Sequence, residues 1–343
     1  MMRLPNFQFR APRNIREAVD LLVGAAPGEA MLIAGGTDLL PNMKRRQQTP
    51  RTLVSLRRVD ELRGIGHTDG IAIGSAMTLT ELVRDEQIRR TCGALWQAAA
   101  QVATPHLRNM GTIGGNICLD TRCNYYDQNY EWRKAIDFCM KKDGETCWVA
   151  PSSPKCVAVS STDTAPALIA LGAEVSLAGA TGIRRIPLSA LYRNDGIAYL
   201  TRTSNEIVTD VHIPAQDGWR STYWKLRRRG AFDFPVLSVA AAAKIAKDGT
   251  VEAARIVLGA VTSRPVEAPQ AAIAALVGQR LTDDLIVHAA ELAAQPSRPL
   301  DNTDFTMLWR KRMTTFFVSY ALKELRGDDM RAQRLKISRQ EQL

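Results

Sequence analysis

Four of the six cysteines, Cys123, Cys139, Cys147 and Cys156, follow one another with 15, 7 and 8 residues between neighbours. Thiolates gathered in so short a stretch suit a four-cysteine metal site, holding either zinc or an iron–sulfur cluster. The spacing matches neither the paired C-x-x-C of zinc sites nor the run of bacterial ferredoxins, and four unrelated buried thiols are the plain alternative. Disulfides are not expected: Met1–Asn6 has no apolar leader stretch, which points to the reducing cytoplasm. Two glycine segments could do different chemistry. Ala34-Gly35-Gly36-Thr37-Asp38, and Gly111-Thr112-Ile113-Gly114-Gly115-Asn116, place paired glycines where backbone must approach something closely. Exposed N–H groups in such turns form anion-binding concavities, with the Thr37 and Thr112 hydroxyls and the Asn116 amide as further donors. Neither is a Walker loop or a G-x-G-x-x-G fingerprint. Each alone reads as a turn; together they suggest a diphosphate site. The four histidines form no zinc or triad pattern, so His106 is expected to be structural and no general acid or base is assigned.

The elements that must position these residues alternate in the first half. Asn14-Ile15-Arg16-Glu17 opens a helix with Ile15, Ala18, Val19 and Leu22 on one face and Gly24 as its stop. Short strands are expected at 31–34, 52–56 and 71–74. Thr78 and Glu81 cap a helix running to Arg89, and an Ala-rich helix covers 93–103. Asp163 reads as the N-cap of a helix over 164–171 closed by Gly172, with strands at 174–177 and 207–213. After Pro214 the pattern changes to a hairpin, 238–244 and 251–257 across Lys247-Asp248-Gly249, followed by helices at 269–276, 283–294 and 303–325. The fold class is therefore α+β, with a polar tail over 327–343.

Composition narrows the function classes. The chain has 343 residues, 45% of them hydrophobic and 23% charged, which suits a soluble protein of about two domains. No apolar run approaches the ~18 residues of a spanning helix, so no membrane role is expected. The net charge of +10 is spread along the chain, and Lys44-Arg45-Arg46 and Arg227-Arg228-Arg229 lack interleaved aromatics. No nucleic-acid-binding motif is present.

The segments LIAGGTDLL (32–40) and PHLRNMGTIGGNI (105–117) resemble the FAD-binding subunits of the molybdenum hydroxylase family, as do 161–177, 205–214 and 223–242. The resemblance implies a two-part FAD-binding domain over 1–215 (1–57 and 58–215), then an α+β C-terminal domain of antiparallel sheet and helices over 216–325, and a tail over 326–343. It implies that Leu32, Ile33, Ala34, Gly35, Gly36, Thr37 and Asp38, with Gly111, Thr112, Gly114, Gly115 and Asn116, hold the FAD diphosphate. Ala103 and Leu107 would flank the flavin, Asp163 and Thr162 would meet its ribityl or ribose hydroxyls, and Ile207 and Val208 would line its ring. Lys225 would lie near the polar edge, where a cation favours the reduced anion, and Cys118 would touch the cofactor. Cys92 is expected to be simply buried.

Family members pass from the GGNI loop to the following helix within a few residues, whereas here 119–158 intervenes as an insertion of about forty residues, a size that needs a staple. In a redox protein another redox centre is more useful than zinc, so a [4Fe–4S] cluster on Cys123, Cys139, Cys147 and Cys156 is expected. The insertion narrows the resemblance to a reductive branch of the family. There ferredoxin would feed the cluster, then FAD, a [2Fe–2S] small subunit and a molybdopterin-containing large subunit in a dimer of heterotrimers. An FAD subunit of an oxidative family member (xanthine or carbon monoxide dehydrogenase-like) and a zinc-stapled binding module without redox function are the competing readings.

Overall fold

The structure, a computed structural model, describes residues 2–339 and is an α+β chain built on three sheets. The first sheet is parallel, with Gln8–Arg10, Thr52–Ser55 and Ala30–Ile33 side by side, and Gln8 and Ala30 both in register with Thr52. The helix Ile15–Val23 supplies the crossover and buries Ala18, Val19 and Leu22. Its N-cap is Asn14, whose Oδ1 accepts from the Glu17 N–H at 2.8 Å.

The second sheet is antiparallel and has five strands, in the order Ile65–Gly66, Ile71–Gly74, Ile207–Ile213, Glu174–Gly179 and Gly182–Pro187. The third is a four-stranded antiparallel sheet of Val266–Glu267, Val251–Gly259, Leu237–Ile245 and Trp219–Leu226. The centre of Leu237–Ile245, Val239–Ala243, is all Ala and Val because both its faces are covered. Ala240 and Ala242 face the core around the helix Thr164–Ala170, while Val239, Ala241 and Ala243 face the helix Met307–Arg326.

Several elements differ from the expectations: the helix expected over 93–103 ends at Ala100, and the one expected over 303–325 begins at Met307. The helix begun by the Thr78/Glu81 capping box ends at Arg84, because the Asp85 carboxylate accepts from the Ile88 N–H at 2.8 Å and starts a second helix, Glu86–Thr91. The Asp163 side chain caps nothing; Asn116 instead reaches across to the Thr164 N–H at 3.1 Å. The polar tail is helical over Arg331–Arg339, and this helix is docked by Arg334, whose guanidinium lies 4.1 Å from the Trp224 ring. Residues 340–343 lie outside the described residues.

The insertion folds as one compact module. A pair of backbone hydrogen bonds between Arg122 and Val159, at 2.8 and 2.7 Å, closes its base. Fully buried Arg133 donates to the Arg45 and Arg46 carbonyls, and Asn302 of the C-terminal part donates to the Val157 carbonyl at 2.6 Å. Among the described residues no helix is long and apolar enough to cross a membrane.

Candidate functional site

The first glycine segment leaves the parallel strand Ala30–Ile33 and enters the helix Leu39–Lys44. The second opens the short helix Ile113–Ile117, so Gly114, Gly115 and Asn116 are helical and only Gly111 and Thr112 precede it. The Thr112 hydroxyl accepts from the Gly115 N–H at 3.1 Å. The two segments cross so closely that a Cβ on Gly35 would lie 1.8 Å from the Met110 carbonyl oxygen. A Cβ on Gly114 would lie 2.7 Å from that of Ser75, and Gly36 has φ +70°. Glycine is therefore required at Gly35 and Gly114 by the packing of the chain on itself.

Between these loops and the sheets lies a cavity of about 580 Å³, within the ordinary size range of a cofactor site. Leu32, Ile33, Ala34, Gly35, Gly36, Thr37, Asp38, Ala103, Leu107, Gly111, Thr112, Gly114, Gly115, Asn116, Cys118, Asp163 and Val208 all line it. Ala103 holds φ +43°, a strained conformation for a residue with a Cβ, at the cavity wall. Thr162, Ile207 and Lys225 do not line the cavity. Ile207 alternates with Val208 on one strand, so it points to the opposite face, into the core with Val19 and Val54. The Thr162 hydroxyl donates to Asn116 Oδ1 at 2.9 Å, and the Thr164 hydroxyl to the same oxygen at 2.6 Å.

Lys225 has no side-chain exposure and reaches the cavity only through Asp163, at 2.9 Å, while also donating to the Gln101 carbonyl at 3.1 Å. The Tyr223 hydroxyl donates to Asp163 at 2.7 Å. Burial pushes the Asp163 carboxyl up and the Lys225 ammonium down, against their mutual attraction. His106 is exposed on the short helix Pro105–Arg108.

The cavity also has walls that the motifs do not mark. Asp120 and Arg122 come from the insertion, Tyr199 from a loop, and Phe232 and Phe234 from the segment after Arg229. Arg122 pairs with Asp38 of the first glycine segment, donates to Asn42 Oδ1 at 3.0 Å and lies 4.8 Å from the Phe234 ring. Only its place beside Cys123 marks Arg122 in the sequence, and Phe232 and Phe234 carry no spacing signal at all.

Beside this wall Cys123, Cys139, Cys147 and Cys156 are all buried and unpaired, and Cys123, Cys139 and Cys156 share an apolar cluster with Tyr126 and Ala158. The Ala158 N–H points at the Cys156 sulfur, 3.4 Å away. Burial pushes the Cys123 thiol up to about 12 and that of Cys156 to about 11. Among the described residues no three His, Cys, Asp or Glu side chains close around a single metal ion. As a donor set, four buried thiols with sulfur-directed N–H groups fit a thiolate-ligated centre, since buried thiolates need a metal's charge. Cys92, fully buried at a helix start, is pushed up to about 11 by burial.

Glycine loops that line a cavity of this size between two sheets define a nucleotide-cofactor-binding protein. More particularly, the chain belongs to the FAD-binding subunits of the molybdenum hydroxylase family. Residues 5–216 match the FAD binding domain in molybdopterin dehydrogenase, and residues 221–325 the CO dehydrogenase flavoprotein C-terminal domain. The chain is 34% identical over 250 residues to the aldehyde oxidoreductase FAD-binding subunit of Escherichia coli, covering 70% of this chain and 76% of that one. It is 28% identical over 304 residues to the carbon monoxide dehydrogenase medium chain of Hydrogenophaga pseudoflava, covering 87% and 89%. A solved structure of that organism's carbon monoxide dehydrogenase superposes with a TM-score of 0.77 at 27% identity, over 94% of this chain and 98% of the other. The chain is thus an oxidoreductase subunit that binds FAD.

Proposed function

We propose that this chain is the electron-transfer flavoprotein subunit of a 4-hydroxybenzoyl-CoA reductase, with a [4Fe–4S] cluster on Cys123, Cys139, Cys147 and Cys156. In this reading Leu32 to Asp38 and Gly111 to Asn116 cradle the FAD diphosphate, and Ala103, Leu107, Cys118 and Val208 surround the flavin. Asp163 meets the cofactor's hydroxyls. Lys225, Thr162 and Ile207 act from behind the cavity wall by holding Asp163, Asn116 and the strand. When bound, FAD supplies the exchange between single electrons and electron pairs. Ferredoxin is the donor, and a [2Fe–2S] small subunit and a molybdopterin-containing large subunit are the acceptors, in a dimer of heterotrimers. On the large subunit the phenolic hydroxyl of 4-hydroxybenzoyl-CoA leaves as water with uptake of an electron pair and protons, giving benzoyl-CoA.

The observation that carries this reading is the insertion: four unpaired, buried cysteines beside a wall shared with the FAD cavity. The test is anaerobic purification of the wild type and of Cys139→Ala. Flavin bands, broad iron–sulfur absorption and about four irons per chain are expected. Cys139→Ala should keep FAD, lose iron and lose ferredoxin-dependent flavin reduction. Flavin with no metal, or with stoichiometric zinc, would overturn the reading in favour of an oxidative family member. Absence of any chromophore would leave a zinc-stapled binding module.

A further inference from the structure

The wall between the cysteine pocket and the FAD cavity contains a buried ion pair. Lys141 and Asp120 both belong to the insertion, and each side chain is only 6% exposed. Lys141 Nζ donates to Asp120 Oδ1 at 2.8 Å, to the Thr121 hydroxyl at 2.8 Å and to the Gly196 carbonyl at 2.6 Å. It also lies 4.7 Å from the centre of the Tyr126 ring and 5.6 Å from that of Tyr199. Asp120 accepts further from the Tyr126 hydroxyl at 3.0 Å, the Gln48 amide at 3.2 Å and the Thr121 N–H at 2.9 Å. The two sides of the wall meet here. Asp120 and Tyr199 line the FAD cavity, while Gly196, whose carbonyl accepts from Lys141, packs on Cys156, where a Cβ would lie 2.6 Å from the sulfur.

We propose that Lys141 and Asp120 are positioning residues that set the reduction potential of the centre in the cysteine pocket, Lys141 raising it and Asp120 lowering it. This rests on the reading that the pocket holds a cluster. Each electron taken up there adds one negative charge. A fixed ammonium in a desolvated wall stabilises that charge, and a fixed carboxylate opposes it. The net effect of the pair depends on which charge stands nearer, and the Lys141 bond to Gly196, which abuts the Cys156 sulfur, places the cation on the cluster side. Water cannot reorganise to screen either charge, so removing one partner leaves the other acting at full strength.

The test is a reductive titration of the holoprotein and of Lys141→Met, Lys141→Arg and Asp120→Asn. Cluster reduction is followed by electron paramagnetic resonance, and iron and FAD contents are measured on each. Lys141→Met should move the cluster midpoint to more negative potential, Asp120→Asn to more positive, and Lys141→Arg should stay near the wild type. A structural role alone would move both variants the same way or neither, and either result overturns the proposal while iron remains bound. Should Lys141→Met fail to fold, the near-isosteric Asp120→Asn still reports the sign. If the wild type holds no iron, the cluster reading fails and this proposal fails with it, a result separable from an unmoved midpoint.

Discussion

At the scale of single residues, the cavity depends on backbone contacts that leave no room for a methyl group. Gly35→Ala would place a Cβ 1.8 Å from the Met110 oxygen, so the two glycine segments must separate. The expected loss is about 3 kcal/mol, at the upper end for overpacking, together with FAD release on gel filtration. An unchanged unfolding midpoint with full flavin content would show that the crossing is not tight. The Asp163–Lys225–Tyr223 cluster makes a graded prediction. Asp163→Ala strands a lysine with no exposure and should cost roughly 3–5 kcal/mol, as in other broken buried pairs. Tyr223→Phe deletes a single hydrogen bond and should cost about 1 kcal/mol. Denaturant unfolding of both variants checks the order, and equal losses would count against Asp163 and Lys225 being the central pair.

At the scale of elements, Asn116 joins two helices. Its Oδ1 accepts from the Thr162 hydroxyl, the Thr164 hydroxyl and the Thr164 N–H, so a residue of the second glycine segment caps the helix that presents Asp163. Asn116→Ala leaves these buried donors unsatisfied and should lower stability by roughly 2–3 kcal/mol and loosen FAD. On the five-stranded sheet, Arg184 clasps Glu206 at 2.6 and 3.0 Å and holds its carboxyl below the ordinary 4.5, with burial opposing. A folded pKa below the unfolded one stabilises above the unfolded value, and that stabilisation is lost as pH falls through the folded value. Glu206→Gln should therefore cost less than about 1 kcal/mol at neutral pH, Arg184 being half-exposed. The difference from wild type should vanish below the carboxylate range, as urea unfolding at the two pH values would show. These cases mark what could be read from sequence. Local signals were legible: the Asn14 cap, the Thr78/Glu81 box and the strand pair across Lys247–Gly249 all rest on neighbours in the chain. Asp163 has the sequence of a cap, but the acceptor that takes the Thr164 N–H, Asn116, stands 47 positions earlier. The edge strand Gly182–Pro187 carried no apolar alternation because it is almost wholly exposed. Arg122 and Tyr199 reach the cavity only through tertiary approach, which no spacing encodes.

At the scale of the whole molecule, the last helix acts as a clamp between parts that the sequence separates by more than two hundred residues. Arg334 donates to both Glu324 oxygens at 3.0 and 2.6 Å, to the Tyr223 carbonyl at 3.2 Å and to the Thr222 hydroxyl at 2.8 Å. It also reaches Gln97 Oε1 at 3.3 Å, an oxygen that accepts from the Tyr223 N–H at 2.6 Å. One guanidinium thus joins the helix Gly93–Ala100, the strand Trp219–Leu226 and the helix Met307–Arg326. Its stacking on Trp224 adds a half-buried cation–π contact. Arg334→Ala should cost roughly 2–3 kcal/mol, since it leaves Glu324 without its cation beside Trp224. Arg334→Lys should recover only part of that, because an ammonium cannot reproduce the two-pronged geometry. Guanidinium unfolding followed by circular dichroism measures both losses. Deleting residues 328–343 should lower the midpoint at least as far as Arg334→Ala does. If the deletion left it unchanged, the helix would be an appendage, and the packing of the C-terminal sheet against the helix Gly93–Ala100 would have to stand on the apolar core alone.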